Sequence, residues 1–104
     1  MNNLLGIPGA LEETKKRLAC YEKAGIDGFF VPCIEKREDI EAIVQAAPVP
    51  VNVMCMPNLP NFETLAELDV KRISMGNFLF GHIHAKLENT LTSILETKSF
   101  KPVF

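Results

Sequence analysis

Gly28-Phe29-Phe30-Val31-Pro32 is a short, unbroken apolar run closed by a proline, and the segments on both sides of it follow a helical period. An apolar run of this length without alternation predicts a parallel-sheet strand buried on both faces. Upstream, Ala10 to Ala24 predicts a helix: Leu11, Thr14, Leu18 and Tyr21 recur on one side, and Glu12, Lys16 and Lys23 lie on the other. Glu12 and Glu13 in its first turn favour the helix dipole, and Gly25 is a natural stop. Downstream, Ile40, Ile43, Val44 and Ala47 stand at i, i+3, i+4 and i+7, an amphipathic helix ended by Pro48.

The unit then repeats. Val49 to Cys55 reads as a second strand, closed by the loop Pro57-Asn58-Leu59-Pro60. Asn61 is placed to cap a third helix with Leu65 and Leu68 facing inward. Val70 to Met75 forms a third strand broken by Gly76. A last helix runs from about Asn77 into the 90s and is expected to bury Phe78, Leu79, Ile83, Leu87 and Leu91. Residues 97–104, with Pro102, are expected to fray. Strand alternating with amphipathic helix predicts an α/β fold with a parallel sheet. Three strands are too few for a five-stranded doubly wound sheet or a (β/α)₈ barrel. Residues 1–104 therefore read as one partial domain whose sheet keeps open edges.

The 104 residues include 47% apolar and 23% charged side chains and carry a net charge of −2, which fits a packed domain. Basic residues do not cluster and are not interleaved with aromatics, so no nucleic-acid partner is expected. Cys20, Cys33 and Cys55 are odd in number and form no CxxC pair, which favours free thiols and a cytoplasmic setting. The N-terminus has no secretory-leader pattern, and no apolar run is long enough for a membrane span.

Arg17-Leu18 through Tyr21 and Ala24-Gly25-Ile26-Asp27-Gly28-Phe29-Phe30-Val31-Pro32 resembles the "RL..Y..AGAD.IFVP" segment of the isocitrate lyase/phosphoenolpyruvate mutase family. Glu38-Asp39-Ile40 is similar to the start of that family's next helix, and Pro50-Val51-Asn52-Val53 to its "PVNV" strand. Leu65-Ala66-Glu67-Leu68 with Arg72-Ile73-Ser74-Met75-Gly76 is similar to its "LAELGV.RIS.G" close. The resemblance extends over roughly residues 2–95 and implies a partial (β/α)₈ barrel whose strands are the sixth, seventh and eighth. It also implies that the family's "ART" arginine, its Mg²⁺-binding carboxylates and its catalytic-cysteine loop lie upstream of Met1. No catalytic or metal-ligating residue is therefore expected in this chain, and Mg²⁺ is a cofactor of the family that this chain does not bind by itself.

Family members use Mg²⁺ to hold a 2-oxo acid and to stabilise an enolate-like oxyanion as a C–C or P–C bond breaks. Candidate substrate-facing residues are Asn52, polar in an apolar strand, Ser74 and Gly76 at the end of the last strand, and, as the resemblance implies, Asn2 and Asn3 at the rim, against which disorder at a chain terminus is the competing expectation. Asn52 has a structural reading too, bridging strands through its amide. Ser74 to Asn77 has one as an ordinary strand stop and helix cap. Glu35 is the lone carboxylate at a predicted strand end and reads as a solvated surface group. His82 and His84 point about 200° apart on a helix, which speaks against a shared metal. The expected function is the C-terminal section of a Mg²⁺-dependent lyase or phosphomutase acting on small 2-oxo or 2-hydroxy acids, inactive as this chain alone. The alternative is a non-catalytic structural or self-association module. Open sheet edges and the last helix predict a homo-oligomer.

Overall fold

A computed structural model describes residues 8–104. Asn2 and Asn3 lie outside the described residues. Helix α1 (Ala10–Lys23) leads to strand β1 (Phe29–Val31), helix α2 (Arg37–Ala46), strand β2 (Val51–Met54), helix α3 (Phe62–Glu67), strand β3 (Arg72–Ser74) and helix α4 (Phe78–Thr97). A 3₁₀ turn over Lys101–Val103 follows in the tail. The strands form one parallel sheet in the order β1-β2-β3. Phe30 pairs with Asn52, and Asn52 with Arg72; one residue on, Val31 pairs with Val53, and Val53 with Ile73.

Local chemistry sets the boundaries. Gly25 follows α1 with φ of 84°, a left-handed turn that glycine adopts without a Cβ penalty. Ala47 has β-region angles because Pro48 disfavours helical geometry in the residue before it, so α2 stops there. The Asn61 side chain accepts a hydrogen bond from the Thr64 backbone N–H at 2.9 Å, as the sequence predicts. With six residues, α3 has few backbone bonds of its own, so this cap is a large share of its local stability. Asn61→Ala is expected to cost about 1 kcal/mol. The check is the urea midpoint, with loss of amide protection confined to Thr64 and its neighbours.

The core lies between the sheet and helices α1–α3. Phe29, Val31, Val51 and Val53 point from the sheet into a cluster with Leu18, Ile34, Ile40, Ile43, Leu65 and Leu68. The Thr14 hydroxyl is buried in this layer and donates to the Ala10 carbonyl at 2.7 Å, which settles its polarity. Tyr21, expected on the buried side of α1, is 45% exposed, with its ring 6.2 Å from that of Phe29. It sits at the end of the helix, where the sheet no longer covers it.

The structure corrects two further expectations. The strand around Phe30 is buried on one face only: Phe29 and Val31 are covered, while Phe30 is 41% exposed. The helices occupy a single layer, so the residues of opposite parity face away from all of them. The second correction concerns α4, none of whose residues is buried; Phe78, Leu79, Ile83, Leu87 and Leu91 are all exposed. A 20-residue helix is about 30 Å long. The described molecule measures 60 × 26 × 25 Å, because α4 extends beyond the sheet and does not fold back over β3. Ile73 and Met75 stay exposed for the same reason. No helix is long and apolar enough to cross a membrane among the described residues.

Candidate functional site on the open face of the sheet

Pleating sends alternate residues to opposite faces, and paired residues on adjacent strands share a face. Because Val31 and Val53 face the helices, Phe30, Asn52 and Arg72 form one row on the uncovered face. Met54 and Ser74, paired two residues further on, lie on the same side. This face combines an aromatic ring, an amide, a guanidinium, a thioether and a hydroxyl. The opposite face carries only apolar side chains, Phe29, Val31, Val51 and Val53 packed against the helices and Ile73 exposed.

Asn52 has no partner for its Oδ1, which is shielded from solvent. An amide that bridged strands would be satisfied, so the bridging role is not realised here. Ser74 is half-buried, and its hydroxyl lies 3.5 Å from the Val53 carbonyl, a long contact that leaves it free to reorient. Gly76 follows β3 with φ of 54°, and a Cβ there would come 2.7 Å from the Met54 Sδ. Glycine is therefore favoured both by the backbone angle and by the close approach. Asn52 and Ser74 share the open face one pleat apart, whereas Gly76 closes the strand end over Met54; the cavity beside Asn52 includes neither Ser74 nor Gly76. Arg72 and Phe30 were not singled out by the sequence reading. The signal for them was the register, since residues 22 before and 20 after Asn52 fall in its row.

At the C-terminal ends of the strands, Glu35 differs from the expected solvated group. It is half-buried, and its carboxylate accepts the Asn58 backbone N–H at 2.7 Å. The contact ties the loop after β1 to the loop after β2, across 23 residues of chain. Glu35→Ala is expected to cost about 1–2 kcal/mol, since the acceptor is charged. It should speed hydrogen exchange at the Asn58 amide while leaving the β-ladder amides protected.

His84 stands 3.5 Å from the Glu88 carboxylate and stacks on Phe80, and both partners are on α4. Asn77 occupies the N-cap position of α4 without a side-chain cap bond. Cys20, Cys33 and Cys55 are free thiols. Among the described residues, no three His, Cys, Asp or Glu side chains come together. Mg²⁺ requires several hard oxygen ligands in octahedral geometry, and Glu35, the carboxylate at a strand end, is already engaged. The described residues do not make a Mg²⁺ site.

A parallel sheet with helices on one face and a polar, uncovered opposite face is a section of α/β barrel wall. The family model for phosphoenolpyruvate phosphomutase matches residues 2–95, and the chain belongs to that family. Two solved structures from Burkholderia cenocepacia J2315 agree with the fold. One, assigned as a lyase/mutase, is 30% identical with a TM-score of 0.79 over 89% of this chain and 34% of its own. The other, assigned as a phosphonomutase, is 34% identical with a TM-score of 0.74 over 86% of this chain and 36% of its own. The three strands and their helices are thus part of a (β/α)₈ barrel fold, as the sequence predicts. The uncharacterized Mycobacterium tuberculosis proteins Rv1998c and MT2054 are each 36% identical over 64 residues. The match spans about a quarter of the length of those two relatives, 24%.

Proposed function

We propose that these residues form the closing wall of a barrel enzyme that breaks C–C or P–C bonds in small 2-oxo or 2-hydroxy acids. Asn52, Ser74 and Gly76 line its substrate side in this reading. The observation that carries this reading is the division of the sheet, with every core residue on one face and the Phe30-Asn52-Arg72 row on the other. A sheet that ended at these three strands would have no use for an amide left unpaired on its bare side. In the family the reaction depends on Mg²⁺; here its ligands come from residues other than those described. The free thiols fit a reducing, cytoplasmic location. The exposed apolar residues of α4 fit a homo-oligomer.

Complementation tests the reading. The 104-residue chain alone should release no pyruvate from 2-methylisocitrate or oxaloacetate with Mg²⁺ present. Mixed with a polypeptide carrying the first five βα units of a barrel of this family, it should form a complex and restore turnover. A complex that forms but never turns over any such acid or phosphonate would refute the catalytic reading and favour a purely structural module, for which the bare α4 is the supporting feature.

A further inference from the structure

We propose that Cys33 and Cys55, at the C-terminal ends of adjacent strands, form a dithiol that closes to a disulfide by exchange with a small disulfide such as oxidised glutathione. The pairing register places them together. Phe29, Phe30 and Val31 lie opposite Val51, Asn52 and Val53, so two residues further on Cys33 falls opposite Cys55. Paired Cα atoms of neighbouring strands are about 4.8 Å apart, inside the roughly 4.4–6.8 Å that a disulfide spans. The ladder itself stops at Val31, where Pro32 and Cys33 turn, but the two segments do not part there. The Glu35 carboxylate accepts the Asn58 backbone N–H at 2.7 Å, which holds the loop after β1 against the loop after β2 just beyond the two thiols.

Both thiols are free and half-buried, neither sealed in the core nor fully open to solvent. The third cysteine, Cys20, is exposed on α1 and belongs to another element. Cys33 has φ of 66°, a left-handed angle that glycine adopts at least cost, so the backbone gives no reason for a side chain at this position. β1 and β2 are neighbours within this chain, and the pair needs no residue from outside it. The exchange balances without a bound cofactor. One cysteine thiolate attacks a sulfur of oxidised glutathione and expels a glutathione thiolate. The second cysteine thiolate attacks the mixed disulfide, forms the Cys33–Cys55 bond and expels the other glutathione. The protein gives up two electrons and two protons, and two glutathione thiols carry them away. The bridge adds a covalent tie beside the Glu35–Asn58 hydrogen bond, so the loops at this end of the sheet are fixed on oxidation and released on reduction.

Oxidation of the 104-residue chain carrying Cys20→Ser reads the pair, because only Cys33 and Cys55 then remain. Folded protein at low concentration is treated with oxidised glutathione and quenched with acid, and its intact mass is measured before peptide mapping. The expected product is a monomer about 2 Da lighter, bridged between Cys33 and Cys55 and free of glutathione. Its urea midpoint should lie above that of the reduced chain and return on addition of dithiothreitol. Oxidised while unfolded in urea, the same chain should give a ratio of bridge to glutathione adduct at least about tenfold lower, since only the fold holds the thiols together. Cys33→Ser and Cys55→Ser should each retain one glutathione and form no bridge. A folded chain that keeps glutathione on both cysteines, links only to a second chain, or leaves both thiols unreacted would overturn the pair. So would an equal ratio with and without urea. No turnover is read, so these results stand whatever the complementation assay gives.

Discussion

Ile40→Ala is expected to lower stability by about 2–5 kcal/mol, the range for removing a large aliphatic side chain from a packed core. Ile40 is fully buried and belongs to a cluster of ten residues that holds α1, α2 and α3 onto the sheet. A chain of this size has a total stability of roughly 5–15 kcal/mol. The lower end applies, because the 20 residues of α4 add no buried side chain to the core. One cavity beneath α2 is thus enough to leave much of the population unfolded at room temperature. The loss should appear as a lower urea midpoint with an unchanged slope. Leu87→Ala removes a similar volume but acts on a side chain exposed in the single chain, so at a concentration low enough to keep the chain monomeric it should change the same midpoint by less than about 0.5 kcal/mol. Equal effects of the two substitutions would mean that α4 packs on the core in solution.

Much of the fold was legible because local signals and the global pattern agree. Helices α1 to α3 and all three strands occur where periodicity placed them, and Gly25, Pro48 and Asn61 end or begin elements by the backbone rules that named them. The errors share one cause. Burial of Phe30, and of Phe78, Leu79, Ile83, Leu87 and Leu91, was inferred from apolar character, which shows that a side chain prefers cover but not what covers it. Tyr21 differs only in lying at the margin of the sheet.

The candidate site was less legible. Asn52 stood out as a polar residue in an apolar strand, but Arg72 was hidden inside a strand whose pairing partner cannot be read from composition. Glu35 was misjudged for a related reason. Its partner is a backbone N–H 23 residues away, and backbone donors leave no mark in a sequence. Residues whose chemistry depends on a distant partner become visible once the register is known.

Paired substitution of Ile83 and Leu91 by Glu is expected to weaken self-association at least about a hundredfold while leaving the folded core intact. Leu79, Ile83, Leu87, Leu91 and Leu95 recur every four residues along α4 and are all about half exposed or more. A row of this length exceeds the scattered apolar exposure normal for a monomer. The outer side of β3 is bare as well, with Ile73 and Met75 exposed where a covering helix would lie in an α/β layer. An uncovered strand and an uncovered helix in one chain complement each other when a second copy is present, since α4 of each can cover the other. Burying each Leu or Ile is worth about 1.5–3 kcal/mol, and a carboxylate in its place must be desolvated, so four altered positions in a dimer exceed the 2.8 kcal/mol or so that a hundredfold change requires. Sedimentation velocity over a concentration series should show wild type larger than a monomer and the double variant as a monomer. The urea midpoints of the two, compared at low concentration, should coincide within about 0.5 kcal/mol, because neither position touches the core. Wild type that remains monomeric across the series, with α4 still helical by circular dichroism, would show that water alone suffices for this helix and would remove the case for a second copy.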